Sequence, residues 1–122
     1  LILADTSVWI DHFRSDDVTL RKLLQEQMIL MHPLIVAELA LGNLPQRANI
    51  LKLLEQLPSA PSARLSEVRH LIEARSLFGR GIGLMDAHLL ASALIEAPTR
   101  LWTRDKRLGL LAEELGIAAG LA

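Results

Sequence analysis

Cysteine is absent from this 122-residue sequence, which excludes disulfide staples, thiolate zinc sites and a cysteine nucleophile in one step. Its absence suits a reducing compartment, and a soluble cytoplasmic protein is expected. Aromatic residues are scarce, 3% of the chain against 51% hydrophobic residues, so the core is expected to be built from Leu, Ile, Val and Ala. Such cores belong to helices packed on a buried sheet. A surplus of positive charge is lacking too. The formal net charge is -1, which removes the bulk attraction to phosphate that marks most nucleic-acid binders. Any such role has to be argued from a local site. Long apolar runs are also missing: the stretch 28–41 is interrupted by His32, Pro33 and Glu38, and none nears the roughly 20 residues of a membrane span. The opening Leu1-Ile2-Leu3-Ala4 lacks the basic start and long apolar region of a secretion signal.

What the chain does have is a regular alternation of short apolar runs and helical periodicities. Residues 1–4 read as a buried strand that leaves its sheet at the polar turn Asp5-Thr6-Ser7. A short helix is predicted over 8–14, and a second, capped by Asp16 or Asp17, runs to about 27. Residues 28–31 predict a strand, Pro33 suits the first turn of a helix reaching about 41, and Gly42-Asn43 stops it. A further helix over 46–57 carries Ile50, Leu53, Leu54 and Leu57 at helical spacing. The Pro- and Ser-rich segment 58–62 is a loop with room for a very short strand. Helices over 63–78 and 84–97 follow, separated by Gly79, Gly81 and Gly83, with Pro98 closing the second. A strand over 100–103, a helix over 105–115 and a short strand over 117–119 complete the pattern. The expected fold class is α/β, a single domain over 1–122 with a mostly parallel sheet covered by helices on both faces. In such sheets ligands gather outside the C-terminal ends of the strands.

Four carboxylates fall where that rule matters. Asp5 follows the first strand directly and Asp105 follows Leu101-Trp102-Thr103-Arg104, so both are assigned to the ligand edge of the sheet. Glu38 is the only formally charged residue between Glu26 and Arg47, and Asp86 the only one from Gly81 to Ile95. Both lie in apolar segments, from which burial is expected. An isolated carboxylate in such surroundings is disfavoured or has its pKa raised, and a divalent cation is a fitting compensation. Oxygen donors without cysteine or a paired-histidine spacing select Mg²⁺ or Mn²⁺ over zinc. Ions of this kind hydrolyse phosphodiesters by activating a water and steadying the leaving oxygen. Metal-assisted hydrolysis is therefore the reaction to which these residues point. Taken singly, Asp5, Asp86 and Asp105 are equally turn or cap residues, and Glu38 has an ion pair with an arginine as its alternative. The combination carries the chemistry.

The segments Asp5-Thr6-Ser7-Val8-Trp9, Glu38 in its apolar helix, Gly83-Leu84-Met85-Asp86-Ala87-His88 and Leu101-Trp102-Thr103-Arg104-Asp105-Lys106 occur in register from end to end. In these four segments the chain resembles the PIN domains, and among them the VapC-type toxins. The resemblance implies a three-layer α/β/α sandwich around a central, mostly parallel sheet of four to five strands. It implies that Asp5, Glu38, Asp86 and Asp105 are the catalytic and metal-holding acids of a Mg²⁺ or Mn²⁺ site. The implied activity is that of a metal-dependent endoribonuclease, the toxin of a bacterial toxin–antitoxin pair, cutting structured RNA such as tRNA or rRNA. The implied partners are a cognate antitoxin and an RNA substrate, in homodimers or toxin–antitoxin hetero-oligomers, with no membrane involved.

Ser7 and Thr103 adjoin these acids in sequence and are assigned the task of orienting them. Arg104, Lys106 and Arg107 flank Asp105 and are candidate substrate-binding residues for RNA phosphates, the alternative being a solvated helix start. For Trp9 and Trp102 core packing is favoured over base stacking. The four histidines show no metal-ligand spacing and are read as structural or surface groups. The Leu-rich helices over 46–78 are read as core, with a dimer face or antitoxin groove as the alternative. A haloacid-dehalogenase-like phosphatase would need an acid where Ser7 stands. The alternative from another class is a non-catalytic binding module of the same fold that holds an antitoxin or RNA.

Overall fold

The computed structural model describes residues 1–96 and 98–122. Three strands, β1 (Ile2–Ala4), β2 (Ile29–Leu30) and β3 (Arg100–Trp102), form a parallel sheet in the order β2-β1-β3. Leu3 of the central strand pairs with Leu30 on one side and Leu101 on the other. Between the strands run α1 (Thr6–Ser15), α2 (Val18–Gln25), α3 (Pro33–Ala40), α4 (Arg47–Glu55), α5 (Leu65–Ala74) and α6 (Leu84–Ile95), with α7 (Lys106–Glu114) after β3. Where further strands were expected, the described residues show one parallel bridge at each edge, Met31 with Ser59 and Leu101 with Ala118. Sequence chemistry keeps both short. Pro58 and Pro61 flank Ser59 and bring no N–H to a ladder, while Gly116 and Gly120, both at φ +74°, turn the chain on either side of Ala118.

Successive strand residues point to opposite faces of a sheet. Here Leu3 and Ala4, Ile29 and Leu30, and Leu101 and Trp102 are all buried, so both faces are covered, and the expected helix–sheet–helix layering is present. Truncating a residue such as Leu3 to alanine costs about 2–5 kcal/mol in a core of this kind.

Helix boundaries follow local chemistry. Asp5 caps α1 by accepting from the Ser7 amide at 3.0 Å, which starts that helix two residues before the predicted position 8. Asp17 caps α2 through the Leu20 amide at 2.9 Å, and Asp16 instead makes the corner at φ 49°. The helix predicted to 78 ends at Ala74, where Ser76 takes a positive φ. The predicted end of α6 at Ala97 lies outside the described residues; as described it ends at Ile95.

Burial overturns one expectation. The sequence places Glu38 in an almost wholly apolar helix and implies that the acid is buried with it, but Glu38 is exposed. Composition does not decide how much of a helix is covered. Only Ile35 and Leu39, four positions apart on one stripe, are fully buried in α3, and Ala37 and Glu38 lie on the open side. By contrast α6 buries Ala87 and every residue from Leu89 to Ala93, so its apolar character reflects coverage around most of its circumference.

A buried histidine joins α3 to α6. His32 Nδ1 accepts from the Leu34 amide at 3.0 Å as the N-cap of α3, which leaves the ring proton of the neutral form on Nε2, 3.0 Å from Ser92 Oγ. Burial first, and the charge of His88 second, hold this imidazole below the usual histidine range. A group so shifted contributes stability that is complete above the unfolded value, about 6.5, and is lost as pH falls through the lower folded value. Urea unfolding is therefore expected to show lower stability at about pH 5 than at about pH 7.5, with the difference reduced in His32→Asn. The substitution itself should cost about 1–3 kcal/mol at the higher pH through the unpaired Ser92 contact. An unchanged pH dependence in the variant would count against His32 as its source.

Candidate active site

Because β1 is central, the chain leaves it toward β2 on one side and meets β3 on the other, and the C-terminal ends of β1 and β3 border the crevice where the strand order reverses. Asp5 ends β1, and Thr103, Arg104 and Asp105 follow β3. The Asp5 amide donates to the Trp102 carbonyl at 2.9 Å, which continues the strand pairing into the site. Asp5 is only 5% exposed. Its Oδ1 accepts from the Ser7 amide at 3.0 Å and from the Ser7 hydroxyl, and its Oδ2 accepts from Thr103 Oγ1 at 2.5 Å. The two hydroxyls are held in turn, Ser7 Oγ by the Arg104 amide at 3.0 Å and Thr103 Oγ1 by the Asp105 amide at 3.1 Å. Asp5 is thus fixed at both oxygens by donors from both sides of the crevice.

The other three acids arrive from separate elements. Glu38 Oε1, on α3, accepts weakly from the Thr6 hydroxyl at 3.4 Å. Asp86 is half-buried in the first turn of α6, where its Oδ2 accepts from the Gly83 amide at 3.3 Å. Asp105 is exposed and caps α7 through Oδ1 and the Leu108 amide at 3.0 Å. Capping and membership of the acid site therefore coexist. The carboxyl of Asp86 is raised above the usual range chiefly by burial, against the opposing Gly83 hydrogen bond, and further by the charges of Asp105, Asp5 and Glu38. The charges of the three other predicted acids, each from a different segment of the chain, thus reach Asp86. Among the described residues no three acids close into a preformed ion cage. Glu38, Asp86 and Asp105 each use one oxygen in the hydrogen bonds above. Accumulated negative charge with oxygens to spare fits a hard divalent cation that keeps several of its waters and takes only a few carboxylates.

The basic residues divide. Lys106 and Arg107 are exposed. Arg107 lies against the loop before α6, with its guanidinium 3.5 Å from the Gly81 carbonyl; a Cβ at Gly81, which has φ +81°, would come within 2.8 Å of it. Arg104 is already paired: it donates to Asp11 Oδ2 at 2.8 Å and to Asp17 Oδ2. Any phosphate contact by Arg104 would have to compete with these two carboxylates. In the sequence Asp17 is read only as a helix cap and Asp11 carries no assignment, because nothing local links either to position 104. Trp9 and Trp102, 3% and 1% exposed, are core residues rather than stacking platforms.

Residues 2–114 match the PIN domain family. The chain belongs to that family. Two proteins named Ribonuclease VapC32, from two strains of Mycobacterium tuberculosis, are each 47% identical to it over 118 residues, covering 97% of this chain and 95% of the relative. That likeness puts this PIN domain in the VapC group.

The burial of Asp86, with the like charges around it, has a measurable consequence for the PIN domain. A carboxyl whose pKa rises on folding destabilises the folded state once it is ionised at neutral pH. In EDTA at neutral pH, Asp86→Asn is expected to unfold at higher urea concentration than the unsubstituted chain, by on the order of 1 kcal/mol. Lower stability of the variant would mean that the Gly83 hydrogen bond outweighs burial and repulsion together.

Proposed function

We propose that this PIN domain is a metal-dependent endoribonuclease, the toxin of a toxin–antitoxin pair, that cleaves structured RNA such as tRNA or rRNA in the cytoplasm. The observation that carries the reading is the convergence of Asp5, Glu38 and Asp105 on the half-buried carboxyl of Asp86. The 47% identity to proteins named ribonucleases supports it. Asp5, Glu38, Asp86 and Asp105 would hold Mg²⁺ or Mn²⁺, which when bound supplies positive charge beside the scissile phosphodiester and lowers the pKa of a neighbouring water.

The residues of the chain do the rest. Ser7 and Thr103 keep Asp5 in one orientation through its two oxygens. Glu38 is exposed, and its Oε2, outside the Thr6 hydrogen bond, is our candidate acceptor for the proton released by the attacking water. Lys106 and Arg107, at the exposed start of α7, hold substrate phosphates. For the antitoxin, an apolar cleft of about 360 Å³ is bordered by Trp9, Phe13, Leu24, Ile50, Leu53 and Leu57, and Leu53 is 60% exposed there. Among the described residues no helix is long and apolar enough to cross a membrane.

The test is cleavage of a panel of structured RNAs in Mg²⁺, Mn²⁺ or EDTA, with Asp5→Asn purified in parallel. Specific cleavage should require metal and fall by about 100-fold or more in the variant. Cleavage that survives EDTA, or absence of cleavage together with absence of metal binding by calorimetry, would refute the reading and favour a non-catalytic binding module.

A further inference from the structure

Arg104 sits between Thr103 and Asp105, and its amide and all three guanidinium nitrogens are hydrogen-bonded. Its guanidinium donates to Asp11 Oδ2 on α1 at 2.8 Å, to Asp17 Oδ2 at the start of α2, and to the Ala122 carbonyl at 3.2 Å and 3.3 Å. Its guanidinium carbon lies 5.3 Å from the centroid of the Trp102 ring. Asp17 is itself fixed by its α2 cap, its other oxygen accepting from the Leu20 amide at 2.9 Å. An exposed ion pair would hold little, but the Arg104 side chain is 26% exposed and that of Asp17 only 14%. A planar guanidinium shared between two carboxylates fixes direction as well as charge, which an ammonium cannot do. Burial alone would raise the Asp17 carboxyl; the Leu20 amide and the hydrogen bond and charge of Arg104 outweigh it and hold that carboxyl below its usual range.

The backbone of the same residue reaches the acid site, because the Arg104 amide donates to Ser7 Oγ, which donates to Asp5. We propose that Arg104 is a positioning residue: by clamping the segment after β3 to Asp11 and Asp17, it holds its own amide and the Thr103 hydroxyl where they orient Asp5, and it does not contact RNA. The inference rests on the ribonuclease reading for its effect on turnover, and on the hydrogen-bond geometry alone for its effect on the segment.

The experiment compares the full chain with Arg104→Met, Arg104→Lys and Asp17→Asn at a temperature where circular dichroism shows each variant folded. The readouts are amide hydrogen exchange at residues 104 and 105, Mn²⁺ affinity by calorimetry, and RNA cleavage with kcat and KM separated. In Arg104→Met both amides should exchange faster, and Mn²⁺ affinity and kcat should fall by about 10- to 100-fold. KM for RNA should stay within about threefold. Arg104→Lys should recover part of the loss. Asp17→Asn should lose less, and combining it with Arg104→Met should add little, because both act through one contact. A raised KM with unchanged kcat, together with RNA binding whose log–log salt dependence is shallower by about one, would make Arg104 a phosphate contact and overturn the proposal. Unchanged exchange, metal affinity and kcat would overturn it too. If the unsubstituted chain neither binds Mn²⁺ nor cuts RNA, the ribonuclease reading fails on its own. The clamp then stands if the amides of Arg104→Met exchange faster and falls if they do not.

Discussion

The site depends on the parallel pairing of β1 with β3. Thr103 and Asp5 are 98 residues apart in sequence, yet the pairing of Ala4 with Trp102 sets the two strand ends side by side. Parallel strands need long crossovers, and the helices of this chain supply them while covering both faces of the sheet. Once the register is set, Asp5 is already in reach of hydroxyls from both sides, Ser7 from the first turn of α1 and Thr103 from the end of β3. The geometry of the acid therefore follows from burial of Leu3, Ala4, Leu101 and Trp102, the same apolar contacts that stabilise the sheet.

That rigid corner carries an electrostatic penalty. Asp86 has a raised carboxyl, chiefly because it is partly buried and further because the charges of Asp105, Asp5 and Glu38 reach it. A fold selected only for stability would not gather like charges in a partly desolvated crevice. The arrangement supports the proposed cation site, in which the hydrogen bonds around Asp5 keep one member of the set in place while Glu38 and Asp105 stay open to solvent. Membership of the PIN domain family gives this reading a context, while the local geometry says which atoms remain available.

Particular residues show where sequence reading succeeds and where it stops. Asp5 was legible because an apolar run meets a polar turn there, and Asp86 because it is the lone charge in a helix that buries most of its surface. The same reasoning misjudged Glu38. Its helix is as apolar as α6 in sequence but is covered only along the stripe of Ile35 and Leu39, and coverage depends on neighbours that no local window contains. The pairing of Arg104 was hidden for a related reason: beside Asp105 it has the look of a phosphate contact, whereas its partners Asp11 and Asp17 lie 93 and 87 residues away in sequence.

The sequence by itself determined the order and kind of the elements, the layered α/β class and which four acids are the candidates for a site. These follow from periodicity, caps and isolated charges, all of which act over a few residues. Only the tertiary structure decided which acid is covered, how far the sheet extends beyond β2 and β3, and that Arg104 joins the segment after β3 to α1 and α2. Those outcomes depend on side chains brought together across most of the chain, and such contacts are set by how helices and strands pack.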